Sequence, residues 1–167
     1  KPEGMWLAET AVDLETLEIL VEHDIKFTIL APHQAKRIRK LKADSAWFDL
    51  FEHKVDTKKA YVCKLPSGKT INVFFYDGKI AQEVAFNGLL NNGEGFAHRL
   101  MGAFDNISDR PQLVNIATDG ETYGHHHKFG DMALSYCLYS IEHLHQANLT
   151  VYGQFLENFP PEDEVEI

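Results

Sequence analysis

Apolar residues along this chain alternate between two periods, and the switches mark its elements. Gly4 to Leu7 is a short apolar run that ends just before Glu9, which reads as the end of a strand. Asp13 is placed to cap a helix, and Leu14, Leu17, Leu20 and Val21 then recur at helical spacing until His23 and Asp24. Lys26 to Leu30 predicts a second strand, stopped by Pro32. Strand, helix and strand form a β-α-β crossover, the repeating piece of a parallel barrel or open sheet. In such folds the C-terminal ends of the strands face the ligand, and His33 and Gln34 fall at one of those ends.

Further on, the basic run Lys36, Arg37, Arg39, Lys40 and Lys42 precedes Trp47, Phe48, Leu50 and Phe51. Charge runs usually belong to surfaces, so the span from Ala35 to Asp56 is expected to give a solvated helix face and then a hydrophobic anchor. Ala60 to Leu65 and Thr70 to Tyr76 alternate on either side of Pro66 to Lys69, which predicts a β-hairpin. Tyr76-Asp77-Gly78 closes it with an acid-glycine turn, so Asp77 either reaches a ligand cleft or simply forms the turn. Ile80, Ala81, Val84 and Ala85 suggest a short helix; Phe96, Ala97, Leu100, Met101 and Phe104 give a clearer one, starting near Asn91 or Asn92. Leu113, Val114, Ile116 and Ala117 read as a buried strand, broken sharply by Asp119 and Gly120. Phe129, Met132, Ala133, Tyr136, Cys137, Ile141 and Leu144 keep a helical period, and the stripe is expected to be core. The tail from Glu157 to Glu166 is acidic and broken by Pro160 and Pro161, which suggests a solvated exit.

Composition narrows the class. A chain of 167 residues with 44% hydrophobic content can bury one sizeable core, and its length predicts one domain. A net charge of -9 argues against a nucleic-acid or anionic-membrane partner and suits a neutral substrate such as a sugar. No apolar run approaches the roughly 18 residues of a membrane helix. Cys63 and Cys137 lie far apart in apolar patterns, so free buried thiols and a cytoplasmic location are expected.

Chemistry concentrates in two acidic segments. Ala117 to His127 holds Asp119, Glu121, Tyr123, His125, His126 and His127 within a few residues, and Gly4 to Glu9 ends another strand in an acid. Retaining glycoside hydrolysis needs two carboxyl groups at about 5 to 5.5 Å across the scissile bond, one to attack and one to donate a proton. Glu9 and an acid of the second segment, Asp119 or Glu121, fit that requirement if both strands end at one rim. Partial burial and nearby negative charge would raise the pKa of the donor. Trp6 offers a face for sugar stacking, though tryptophan is more often core, and His33, Asp77, Glu121, Tyr123 and His125 offer groups for sugar hydroxyls. For Glu121 the plainer alternative is that it caps the following turn. A second chemistry is open to Asp119, His125 and His127, which together would hold a water-activating metal in a carbohydrate deacetylase. That reading leaves Gly4 to Glu9 without a role. A third is a carbohydrate-binding remnant without turnover.

The Thr118-to-Gly124 segment TDGETYG, together with WLAE at Trp6 to Glu9, resembles glycoside hydrolase family 57. The resemblance extends more weakly through nearly the whole chain and is nearest to a bacterial branch with a long polar insertion between these motifs. It implies an α/β fold, part of an incomplete (β/α)7 TIM-like barrel with an inserted β-hairpin at about residues 57–76. It also implies retaining action on α-glucans, by hydrolysis or glucanotransfer, with Glu9 as nucleophile, Asp119 as acid/base and no metal or other cofactor. The family's first two motifs are expected before Gly4 and its last one downstream. Residues 1–167 would then be a fragment from the middle of one catalytic barrel, partnered by the remaining barrel segments and weakly active or inactive alone.

Overall fold

A computed structural model of the chain describes residues 1–42, 44–51, 54–145 and 147–167, which divide into two compact units. The first comprises Lys1–Tyr76 and Val151–Ile167, the second Asp77–Thr150.

In the first unit the β-α-β crossover forms as its periodicity dictates. Strand β1 (Gly4–Met5) leads to helix α1 (Leu14–Glu22) and strand β2 (Phe27–Leu30), and β1 and β2 pair in parallel. Asp13 caps α1 by accepting from the Thr16 backbone N–H at 2.7 Å. Leu17 and Leu20, one turn apart, are the buried face of α1 and join the core under the sheet. The hairpin of β5 (Ala60–Lys64) and β6 (Thr70–Phe75) is stitched into this sheet, because β6 runs parallel to β2 from Asn72 to Phe75. Tyr61, Ile71, Val73 and Phe75 are fully buried there, each large side chain contributing about 1.5–3 kcal/mol.

Two expectations fail in this unit, and they fail together. The basic run is no helix: it forms strand β3 (Arg37–Lys40), followed by β4 (Phe48–Asp49) at the sheet edge. The acidic tail is no solvated exit: after helix α5 (Tyr152–Asn158) it forms strand β7 (Asp163–Glu166) between β5 and β3. Opposite charges on the two strands explain both. Arg39 and Lys64 bind Glu164, Lys40 and Lys59 bind Asp163, and Lys36 and Arg37 bind Glu166. Of the anchor residues that followed the run, Leu50 is buried, Trp47 lies beneath the Arg37 and Arg39 guanidinium groups, and Phe48 and Phe51 are exposed. Ala43, Glu52 and His53 of that span lie outside the described residues. Among the described residues the sheet order is β1-β2-β6-β5-β7-β3-β4, with three parallel and three antiparallel pairings.

Close approach at β1 requires glycine. A Cβ on Gly4 would stand 2.2 Å from Cε2 and Cζ of Phe27, its partner across the ladder. Gly4→Ala therefore forces the buried Phe27 ring or β1 itself to move. The expected loss is roughly 1–3 kcal/mol, read as a lowered melting temperature; an unchanged melting temperature would show that this contact is loose.

The second unit is helical: α2 (Gly78–Phe86), α3 (Gly93–Met101) and α4 (Gly130–His143) enclose a core of Ile80, Val84, Leu90, Phe96, Ala133, Cys137 and Ile141. Asn92 caps α3 through the Gly95 N–H. Arg99 grips Glu83 with two hydrogen bonds, 2.6 and 3.0 Å, which tie α3 to α2 and hold the Glu83 carboxyl below its usual range. The long α4 stripe is only half core: Ala133, Cys137 and Ile141 are buried, whereas Phe129, Met132, Tyr136 and Leu144 are exposed. Residues Leu113 to Ala117 belong to none of the strands. Val114 and Ile116 pack on the helical core, and the Asn115 carbonyl accepts from the Asp77 N–H at 2.9 Å. Both cysteines are buried and free, and burial pushes each thiol up to about 11.

Candidate active site

In the first unit the C-terminal ends of β1, β2 and β6 each carry a polar or aromatic group. Trp6 follows β1 directly and is 44% exposed, so it is not a core tryptophan. Its ring lies 6.1 Å from that of Tyr76, which follows β6. Glu9 sits in a tight turn, Ala8–Thr10, closed by the Thr10 N–H to the Leu7 carbonyl at 2.9 Å. Glu9 is exposed, and its backbone is left-handed, with φ 55 and ψ 18; Thr10 follows at φ 52. Two consecutive non-glycine residues there are each strained by about 1–3 kcal/mol, a cost that clusters where a side chain must be aimed. His33 is exposed in the turn Pro32–Gln34 after β2, and the next residue, Gln34, bonds to the turn that holds Glu9. Gln34 accepts at Oε1 from the Ala31 N–H at 2.8 Å and donates from Nε2 to the Thr10 carbonyl at 2.7 Å.

In the second unit Asp77 has a structural task, accepting from the Lys79 and Ile80 N–H groups at 3.0 and 3.1 Å as the N-cap of α2. Asp119 precedes the turn Gly120–Thr122 and makes no capping bond with its carboxyl, which is exposed rather than partly buried as expected. Thr118 donates from Oγ1 to the Tyr123 hydroxyl at 3.0 Å, fixing the ring within the loop. Of the three histidines, His125 and His126 pack edge to face, with ring centroids 5.0 Å apart, and His127 bonds elsewhere. His125 is exposed, His126 donates from Nε2 to Glu121 Oε1 at 3.0 Å, and His127 donates from Nε2 to the Ala85 carbonyl at 2.8 Å. With His127 turned onto a helix end, Asp119, His125 and His127 do not converge. Among the described residues no group of three or more His, Cys, Asp or Glu side chains stands close enough to hold a metal ion.

Sequence reasoning passed over Tyr76 and the role of Gln34. Tyr76 carried a weak signal, an aromatic directly after a strand and before an acid-glycine turn. Gln34 carried none beyond its place after β2, because one partner is the local Ala31 N–H and the other, the Thr10 carbonyl, belongs to a turn distant in sequence.

No helix among the described residues is long and apolar enough to cross a membrane. Among curated proteins, none matches the chain. Several solved structures share its fold, among them two enzymes. One is a 4-α-glucanotransferase from Thermococcus litoralis, with a TM-score of 0.71 and 19% identity over 99% of this chain and 24% of that enzyme. The other is an exo-type maltose-forming amylase from Pyrococcus sp. ST04, with a TM-score of 0.66 and 17% identity over 93% of this chain and 24% of that one. The chain thus spans about a quarter of either enzyme's length and has the architecture of part of their TIM-like barrel. The model of glycosyl hydrolase family 57 matches residues 1–167 throughout, and this chain belongs to that family.

Proposed function

We propose that the chain supplies the catalytic carboxylates of a retaining enzyme acting on α-glucans, with Glu9 as nucleophile and Asp119 as acid/base. The observation that carries this reading is the Glu9 turn: an exposed residue in the turn that follows parallel strand β1, held left-handed together with its neighbour. Asp119 fits the second role because its carboxyl is not spent on capping, whereas Glu121 is engaged by His126. The substrate class is suggested by the family and by the two structural neighbours, one a 4-α-glucanotransferase and one a maltose-forming amylase.

The mechanism has two displacements. A Glu9 oxygen bonds to the anomeric carbon as the bond to the leaving oxygen breaks, and the Asp119 proton passes to that oxygen. Asp119, now ionised, removes a proton from water or an incoming sugar hydroxyl, whose oxygen displaces Glu9 and restores the α configuration. Trp6 offers an aromatic face beside the nucleophile, and Tyr123, His33 and His125 offer donors and acceptors to hydroxyls. Water as acceptor makes the enzyme a hydrolase and sugar makes it a transferase.

Product stereochemistry from the full-length protein on maltooligosaccharides tests the proposal, with the anomeric proton followed by NMR as product forms. The α anomer is expected first, appearing before mutarotation. Initial release of the β anomer rules out the two-step route. Oligosaccharide binding with no turnover favours a carbohydrate-binding role, and deacetylation of an acetylated sugar that a chelator stops favours the metal chemistry.

A further inference from the structure

Glu9 has no regular ladder to hold it, since β1 ends at Met5 and the turn that follows is only Ala8–Thr10. Its left-handed backbone is one that an acidic residue leaves readily unless its surroundings prevent it. Gln34 is the side chain that reaches the turn from the neighbouring strand end. Its amide bridges two main-chain groups: the N–H of Ala31, directly after β2, and the C=O of Thr10, directly after Glu9. Ala31 is almost fully buried and continues a strand buried along its whole length, so one end of the bridge is anchored in the sheet.

We propose that Gln34 is a positioning residue for Glu9: by joining the end of β2 to the carbonyl of Thr10 it locks the nucleophile's turn in its left-handed form and sets the carboxylate's aim. The inference rests on Glu9 being the nucleophile. Only a primary amide serves both partners at this reach. Glutamate keeps the acceptor but loses the donor, and leucine keeps the volume but loses both. Without the bridge the turn samples other backbone states, and the aimed fraction falls while the surfaces that bind substrate stay in place. Misplacement on the scale of an ångström costs up to about a hundredfold in rate.

The test compares full-length wild-type protein, Gln34→Glu, Gln34→Leu and Glu9→Gln on a maltooligosaccharide and on α-glucosyl fluoride, with folded fraction and melting temperature measured in parallel. Fluoride leaves without needing a proton, so a fault in aiming the nucleophile persists on it, whereas a fault in proton donation largely disappears. Both Gln34 variants are expected to lose roughly ten- to a hundredfold in kcat per folded molecule on both substrates, with KM within about twofold of wild type. If Gln34→Leu fails to fold, the near-isosteric Gln34→Glu carries the comparison. Wild-type kcat per folded molecule, with only the melting temperature lowered, shows a purely structural clamp and overturns the proposal. So does a defect that vanishes on the fluoride. A Glu9→Gln protein that keeps its activity overturns the nucleophile assignment itself, an outcome separate from either of those.

Discussion

Glu9→Gln in the full-length protein is expected to lower kcat on α-glucans by on the order of 10⁴-fold or more, equivalent to about 5 kcal/mol of transition-state stabilisation. The amide has nearly the shape of the carboxylate, so the turn and its bond from Gln34 to the Thr10 carbonyl are retained, and what disappears is the negative charge that forms the covalent bond. Melting temperature should move little, since Glu9 is exposed and its side chain supports no part of either core. KM should stay near wild type, because the lost interaction exists only once the bond begins to form. A smaller cavity-forming variant, Glu9→Ala, should regain turnover of α-glucosyl fluoride when azide is supplied, with the β-glycosyl azide as product. An azide attacking from the vacated side inverts the centre once, and detection of that product identifies the residue. Retained activity in Glu9→Gln, or an α-linked azide product, would move the nucleophile elsewhere.

The parts of the fold that were readable from the sequence are those whose stability is local. Helix α1 shows its cap at Asp13 and its buried face at Leu17 and Leu20 within a single short stretch, and the β5–β6 hairpin shows its turn and alternation in the same way. The β3 and β7 strands were unreadable for the opposite reason: each is a run of charge that looks solvated until the other is laid beside it, more than a hundred residues away. The stripe on α4 misled in a different manner. Periodicity reports which residues share a helix face, but how wide a strip of that face is covered depends on α2 and α3, and here it reaches only Ala133, Cys137 and Ile141. At the candidate site the sequence marks Glu9 and Asp119 because each follows an apolar run, although the run before Asp119 forms no strand. The support beneath Glu9 leaves no pattern in residue types, since Gln34 bonds only to main-chain groups, the Ala31 N–H and the Thr10 carbonyl. The histidine triplet shows the converse: neighbours in sequence take separate tasks, His125 and His126 packing together while His127 secures the end of α2.

Charge pairing across β7 leads to an asymmetric result in stability. The Glu164 side chain is 6% exposed and takes Arg39 at 2.8 Å and Lys64 at 3.0 Å, both of which are more open to water. Removing both cations with Arg39→Met and Lys64→Met strands a carboxylate inside the sheet, where lost solvation is no longer offset, and should cost roughly 3–5 kcal/mol in urea denaturation. Adding Glu164→Leu to that pair removes the stranded charge and should restore most of the loss, because a buried ion cluster and an apolar one of similar volume are often near equal in stability. Glu164→Leu by itself should be milder than the double cation variant, since Arg39 and Lys64 can turn outward to solvent. Raising salt should change these differences little, in contrast to the exposed Lys1–Asp24 pair, whose contribution screening removes. A double cation variant that loses under about 1 kcal/mol, or that salt rescues, would mean that β7's acids are hydrated. Strand β7 would then owe its place to its backbone ladder and to the burial of Val165 rather than to charge.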